Sequence, residues 1–389
     1  MNSIKEILRL LIYIVKQKPY KIKLYNGSEI EMKDSKSMSE SFFGYYDKSP
    51  EQNGNVLFHV MGNNRVSIIV KDIASGDEKK MGESSAFNWQ MGTRALWIDD
   101  DTISCNDFED GMYVCKWYSI SQSKVIKTLP MPLMDIYQKD YVLTTNYQRL
   151  RSVDPDYSYQ CLPEMDDNVF KDYEHDGIWR YDLHKDEKQL LLSIKDVLSV
   201  KKERLYEDGR HCINHIMIAP DGKSFMFIHR YRYGGKKYDR LMVYDFKELR
   251  CLLDDPLQSH FCWLDNHTIM GYCGCNGETG WFQADTISGE VHKLEELTKV
   301  HPKNGHPTPH GDWIVVDGYP DMDRMQRLHA YNQKTKDYIL LAEFFHDIKH
   351  HNYNRCDLHP RFTPDGKAIY VDTIYNGKRQ LCQLKMKLD

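Results

Sequence analysis

Five turn residues of this chain, Asp100, Asp221, Asn266, Asp312 and Asp365, each stand six positions after a nitrogen-bearing side chain: Arg94, His215, His260, His306 and His359. The four histidines are spaced 45, 46 and 53 residues apart. A period of roughly 40–50 residues with about four strands per unit is the sequence mark of a β-propeller. Between the turns lie short runs such as NVLFHVM, VSIIVKDI, SFMFIHRYR, RLMVYDF and AIYVDTIY, rich in β-branched and aromatic residues. Counting units gives seven, at about 41–85, 86–130, 131–200, 201–255, 256–300, 301–350 and 351–389. The expected fold is therefore all-β: a seven-bladed β-propeller over 27–389, preceded by a short extension over 1–26. GSEIEMK at 27–33 is expected to close the ring by pairing with the last blade. The third unit is stretched by DPDYSYQCLPEMDDNVFKDYEHDG, a polar segment expected to reach over one face.

In the extension, Ile4, Ile7, Leu8, Leu11, Ile12 and Val15 recur with helical period between basic flanks. The run is too short to span a bilayer. Glu6 and the lack of a small-residue cleavage site argue against a signal peptide. Residues 4–15 are expected to form an amphipathic helix that docks on the main domain or makes peripheral membrane contact. Ten scattered cysteines form no CxxC pair and read as free thiols in a reducing compartment. The expected location is the cytoplasm, either free or membrane-associated at the inner face through that helix. The net charge of −5 carries no global signal for nucleic acid, so an anionic ligand needs a local basic patch.

In a propeller unit the strand before the first turn lines the central channel. Equivalent positions then point at one axis, so Arg94, His215, His260, His306 and His359 are expected to ring one mouth. The plainer reading of any single histidine is a bond to a neighbouring backbone. Neutral imidazoles with a carboxylate suit a divalent metal. His260, His306, His359 and Asp357 are the candidate ligands, with Asn354 a weaker oxygen donor. Residue types alone do not distinguish manganese, zinc or calcium, nor a metal from a site that works with arginine and none. Asp357 stands two residues before His359, so it can ligate or orient. Arg94, Arg230, Arg355 and Arg361 are candidates to hold a planar carboxylate. Tyr46 and Tyr231 belong to a dense aromatic set, and sugar faces stack on such rings. His215, His229 and the tyrosines are the acid–base candidates. His346, His350 and His351 read as a solvated loop. No Gly-rich phosphate loop precedes a helix, and no G-x-S-x-G elbow occurs.

HPTPHGDWIVVDGYPD at 306–321 and RCDLHPRFTPDG at 355–366 resemble the metal-binding blades of oligogalacturonate lyase and its propeller relatives. INHIMIAPDGKSFMFIHRYRYGG at 213–235 looks like the blade carrying their catalytic histidine. FGYYDKSP, FNWQMGTRALW, NDFEDG, DYSY, SHFCWL and RCDLHPRF are also similar to a bacterial family encoded beside capsule and O-antigen biosynthesis genes. The lyase resemblance implies metal binding by His306 and His359. Asn354 and Asp357 fall where the lyases have a glutamine and another histidine. It also implies that His229 is the catalytic histidine, with His215 competing for the role; Arg94 and Tyr46 are further catalytic candidates from the ring and its aromatic neighbours.

The implied reaction is β-elimination on a uronic-acid-containing polysaccharide or oligosaccharide. Metal or arginine would neutralise the carboxylate, and histidine and tyrosine would move the protons. Two other functions are compatible with the same residues: a non-catalytic glycan-binding scaffold in polysaccharide assembly, and a glycan hydrolase.

Overall fold

A computed structural model describes residues 11–12, 15–33, 39–200 and 208–387. Seven antiparallel sheets follow one another along the chain, five of four strands and two with a short fifth strand added, so the fold is a seven-bladed β-propeller. The first sheet uses Ser41–Phe42, Asn55–Met61, Val66–Asp72 and Glu78–Ser84. The last uses Arg361–Phe362, Ala368–Thr373 and Gln380–Lys385, and takes its outermost strand, Glu29–Met32, from the N-terminal side. That pairing joins the two ends of the chain in one sheet, as the sequence suggested for 27–33. Ile22–Leu24 lies just upstream and adds a fifth strand to the sixth sheet, against Tyr338–Phe345. Most of the expected 4–15 helix lies outside the described residues. Of its residues, Leu11, Ile12 and Val15 are described and helical, with Leu11 and Val15 exposed. No helix among the described residues is long and apolar enough to cross a membrane.

The core is distributed between sheets rather than gathered at the axis. Leu96, Cys115, Trp117 and Leu129 of the second sheet pack on Val142 and Tyr181 of the third. Trp281 of the fifth packs with Ile314 and Val316 of the sixth. Each such buried side chain contributes roughly 1.5–3 kcal/mol relative to exposure. All ten cysteines are free.

Polar bridges tie neighbouring blades near the axis. Asp135 accepts from the Ile218 backbone at 2.8 Å, joining blades three and four. Asp372 accepts from the Phe43 and Gly44 backbones at 2.9 and 3.1 Å, joining blades seven and one. Gly44 has φ +130°, and a Cβ there would lie 2.7 Å from the Met91 backbone. Only glycine fits that approach.

The long third-blade segment folds into short helices. Tyr147–Val153 is capped by the Asn146 side chain, which accepts from the Gln148 and Arg149 amides. Buried Arg149 pairs with Asp176 at 2.5 Å and stacks on Phe170, pinning the segment to the blade.

Candidate metal centre

Local strand irregularities aim the phased histidines inward. In Arg210–Ile218, pairing runs from Asn214↔Ile228 to Met217↔Met226, so His215 and Ile216 together oppose Phe227. In Gln258–Trp263, Ser259 and His260 oppose Tyr272 in the same way. Such bulges re-aim a side chain out of the regular alternation. Arg94, His215 and His359 further adopt positive φ, at 53°, 55° and 44°. A left-handed conformation at a non-glycine residue costs about 1–2 kcal/mol. Strain of this kind persists where surrounding structure over-determines it, and it concentrates at functional sites. Asp357 and His359 lie just before the inner strand of their blade, where only Arg361–Phe362 pairs in the ladder.

The four histidines meet. Ring centroids lie 6.0 Å apart for His215 and His260, 3.9 Å for His260 and His306, and 4.3 Å for His306 and His359. Tyr45 packs edge-on against His215 and His359 at 5.1 and 5.2 Å, and Tyr46 packs on His306 at 5.2 Å. Tyr157 reaches in from the third-blade segment to His215 and His260. Tyr319 closes another side beside His306. All four histidines are buried. Burial, joined by neighbouring positive charge, pushes the pKa of His215, His260 and His359 well below the usual value, so these rings are neutral.

Three groups form a compact donor set: His306, Asp357 and His359 offer ligand atoms within 4.8 Å of one another. His306 Nδ1 is held by the Asp317 carboxylate at 2.9 Å, and His359 Nδ1 by the Gly44 carbonyl at 2.8 Å. The opposite nitrogen of each ring, Nε2, is buried without a hydrogen-bond partner. Metal-ligating histidines show this arrangement, with one nitrogen anchored to an acceptor and the other presented. Two imidazoles and one carboxylate fit a first-row transition ion better than calcium, which takes oxygen ligands. His260 lies beside the set rather than in it. Its Nδ1 contacts Ser259 and Asn304, and its Nε2 lies 3.5 Å from the Tyr157 hydroxyl. Asn354, the weaker candidate, is exposed, unlike the three buried donors.

The basic and aromatic candidates divide differently. Arg94 is buried, and its guanidinium is spent on Asp47, at 2.8 and 2.9 Å, and on the Met134 carbonyl. Burial alone would raise the Asp47 pKa, but the Arg94 charge and hydrogen bonds outweigh it and bring it to about 2. Arg230 is buried between Asp154 and Asp239. Arg361 is buried against the Gly44 and Tyr45 carbonyls and Asp372. These three are internal ties, so their expected role as carboxylate holders is corrected. Arg355 keeps a partly exposed side chain, pairs with Asp357 at 2.7 Å and lies over Tyr319.

His229 does not join the ring. Its Nε2 meets His211 Nδ1 at 3.0 Å, its Nδ1 faces Arg240, and it stacks with Tyr231. Tyr231 is itself buried in that stack, between His211 and Tyr238. Tyr46 is at the centre, but its hydroxyl donates to the Phe261 carbonyl at 2.6 Å. The neighbouring Tyr45 hydroxyl is the one buried without a partner.

Asp317 and Tyr319 were not singled out by sequence reasoning, and Tyr45 and Tyr157 entered it only as members of the aromatic and acid–base set. Asp317 carried a readable signal, as a carboxylate ending the otherwise apolar strand Trp313–Asp317.

No protein-family model matches the chain, and no curated protein matches it. Solved structures do. An oligogalacturonate lyase in complex with manganese is 15% identical over 96% of this chain and 98% of that one, with a TM-score of 0.63. An oligogalacturonate lyase from Vibrio parahaemolyticus is 10% identical over 94% and 97%, also at 0.63. The tricorn protease is 11% identical over 90% of this chain but 34% of its own, at 0.51. At these identities the likeness is one of fold, and the chain shares the seven-bladed propeller seen along the whole length of oligogalacturonate lyase.

Proposed function

We propose that this protein is a metal-assisted lyase that cleaves a uronic-acid-containing bacterial glycan by β-elimination. The observation that carries the reading is the pair of anchored histidines, His306 and His359, whose unpartnered Nε2 atoms stand with Asp357 in one small buried set. That the fold is shared with an oligogalacturonate lyase in complex with manganese supports it.

His306, His359 and Asp357 would hold the metal. When bound, a divalent ion supplies positive charge that stabilises the enolate-like carboxylate of the reacting sugar. Arg355, partly exposed and paired with Asp357, adds a second positive charge beside the site. His215 is neutral and has no partner on either nitrogen among the described residues, so it can accept the C5 proton. The C5–H electrons form the C4–C5 double bond as the C4–O4 bond breaks. Tyr45, edge-on to His215 with a free hydroxyl, protonates the departing O4.

The test is incubation of the manganese-loaded protein with uronate oligosaccharides and bacterial capsular glycans. An unsaturated product absorbing in the ultraviolet is expected. Reducing ends without a double bond would instead indicate a hydrolase. Binding without turnover would indicate a glycan-binding scaffold, the reading favoured by the internal use of Arg94, Arg230 and Arg361.

A further inference from the structure

A separate cleft of about 390 Å³ lies between the second and third blades. Its wall includes the 110–111 connection, the 130–134 entry to the third blade and the long segment after Thr145. In a four-stranded meander, alternate connections share a face. These therefore lie on the same face as the connections carrying Tyr319 and Asp357. One segment walls both places: Tyr157 touches His215 in the centre, while Leu162, Met165 and Val169 line the cleft.

The cleft combines an apolar floor with a lysine set against an aromatic ring. Half-buried Trp179 lines it, with Lys188 Nζ 4.4 Å from its ring centroid. Met112 and Val169 are 58% and 56% exposed there, a cost that a covering ligand relieves. Of the two acids in the lining, Asp176 pairs with Arg149, and Asp172 is hydrogen-bonded to His175. Lys188, the one lysine or arginine in the lining, has no ion pair among the described residues, so its ammonium is left to meet a ligand anion.

We propose that this cleft is a second glycan subsite. It takes an acidic sugar farther along the same chain, with the sugar carboxylate on Lys188 and an apolar sugar face against Trp179 and Met112. The proposal rests on the glycan reading above. An aromatic ring beside a cation matches the two-sided chemistry of a uronate, apolar on its C–H face and anionic at its carboxylate. The size suits a ligand pocket for one or two sugar residues.

The test uses the full-length protein in a His215→Gln background, to prevent turnover, with a uronate disaccharide and a uronate hexasaccharide as probes in calorimetry. Lys188→Ala is expected to weaken hexasaccharide binding by about tenfold, the loss of one charge-assisted contact, and to leave the disaccharide unchanged. Trp179→Phe, which keeps the fold-supporting ring, should give a smaller loss of the same kind. Equal effects on both probes, no effect on either, or no hexasaccharide binding at all would overturn the subsite. Product formation by the unsubstituted protein reports separately on β-elimination. A length preference that depends on Lys188, without unsaturated product, keeps the subsite and rejects the lyase. Product without that dependence does the reverse.

Discussion

Asp317 holds His306 twice, accepting from its backbone amide at 2.7 Å and from its Nδ1 at 2.9 Å. The same carboxylate accepts from the His359 backbone at 3.0 Å, so one acid positions both candidate imidazoles from adjacent blades. Asp317→Asn preserves shape but can no longer accept from all of these donors through two charged oxygens. Manganese affinity should fall roughly 10–100-fold, the usual effect of losing such an outer partner. Titration calorimetry with manganese alone reads this without any substrate.

The compact donor set excludes His260, and that separates the histidines experimentally. His306→Ala and His359→Ala should each abolish stoichiometric metal retention after gel filtration. His260→Ala should retain it, because its ring nitrogens already face Ser259, Asn304 and Tyr157. Elemental analysis of the three variants decides the point.

The two adjacent tyrosines should behave oppositely. Tyr46→Phe removes the hydroxyl that donates to the Phe261 carbonyl and should cost about 0.5–1.5 kcal/mol in denaturant unfolding. Tyr45→Phe removes a buried hydroxyl with no partner, so stability should hold or rise. Its effect should appear in kcat for product formation, with KM little changed.

Arg94 should matter for folding. Arg94→Ala leaves Asp47 buried beside Lys48 without its bidentate partner. Removing one member of a buried pair costs about 3–5 kcal/mol. Equilibrium unfolding should show that loss. An unchanged midpoint together with lost activity would return Arg94 to the catalytic set.

Acid should weaken the protein before its carboxylates titrate. His59 is buried, with Nε2 accepting from the Thr93 amide and Nδ1 facing the Phe42 carbonyl. Burial lowers its pKa from 6.5 to about 4. The unfolded chain therefore takes up a proton below pH 6.5 that the folded chain refuses until about 4. The stabilisation is full above pH 6.5 and lost as pH falls toward 4, by about 3 kcal/mol for this group. His301 is held at about 4 by the same cause and adds to the slope. Unfolding free energies measured between pH 7 and pH 4 should fall along this curve, and His59→Gln should flatten it.

The recurring turn phase was enough to read the blade count, and GSEIEMK was legible as the closing strand because a sheet edge needs a partner. The convergence of His215, His260, His306 and His359 was legible for a related reason: a closed ring of like units brings equivalent inner positions to one axis. Sequence spacing could not say which of two adjacent rings has a free hydroxyl. The Phe261 carbonyl that engages Tyr46 lies 215 residues away. Nor could it separate His229 from His215, because that depends on a bulge that turns one side chain inward while the other pairs with His211.

The same limit explains the arginines. Charge and position made Arg94, Arg230 and Arg361 look available to a ligand, but burial forces each to find an internal acceptor, and tertiary packing chooses which. What the sequence determined by itself was periodic: strand alternation, turn chemistry and the repeat that closes a ring. What only the tertiary structure decided was pairwise: which nitrogen is anchored, which is left over, and which charge is already neutralised. Local residue types set the first through backbone geometry, whereas the second depends on contacts between blades far apart in the chain.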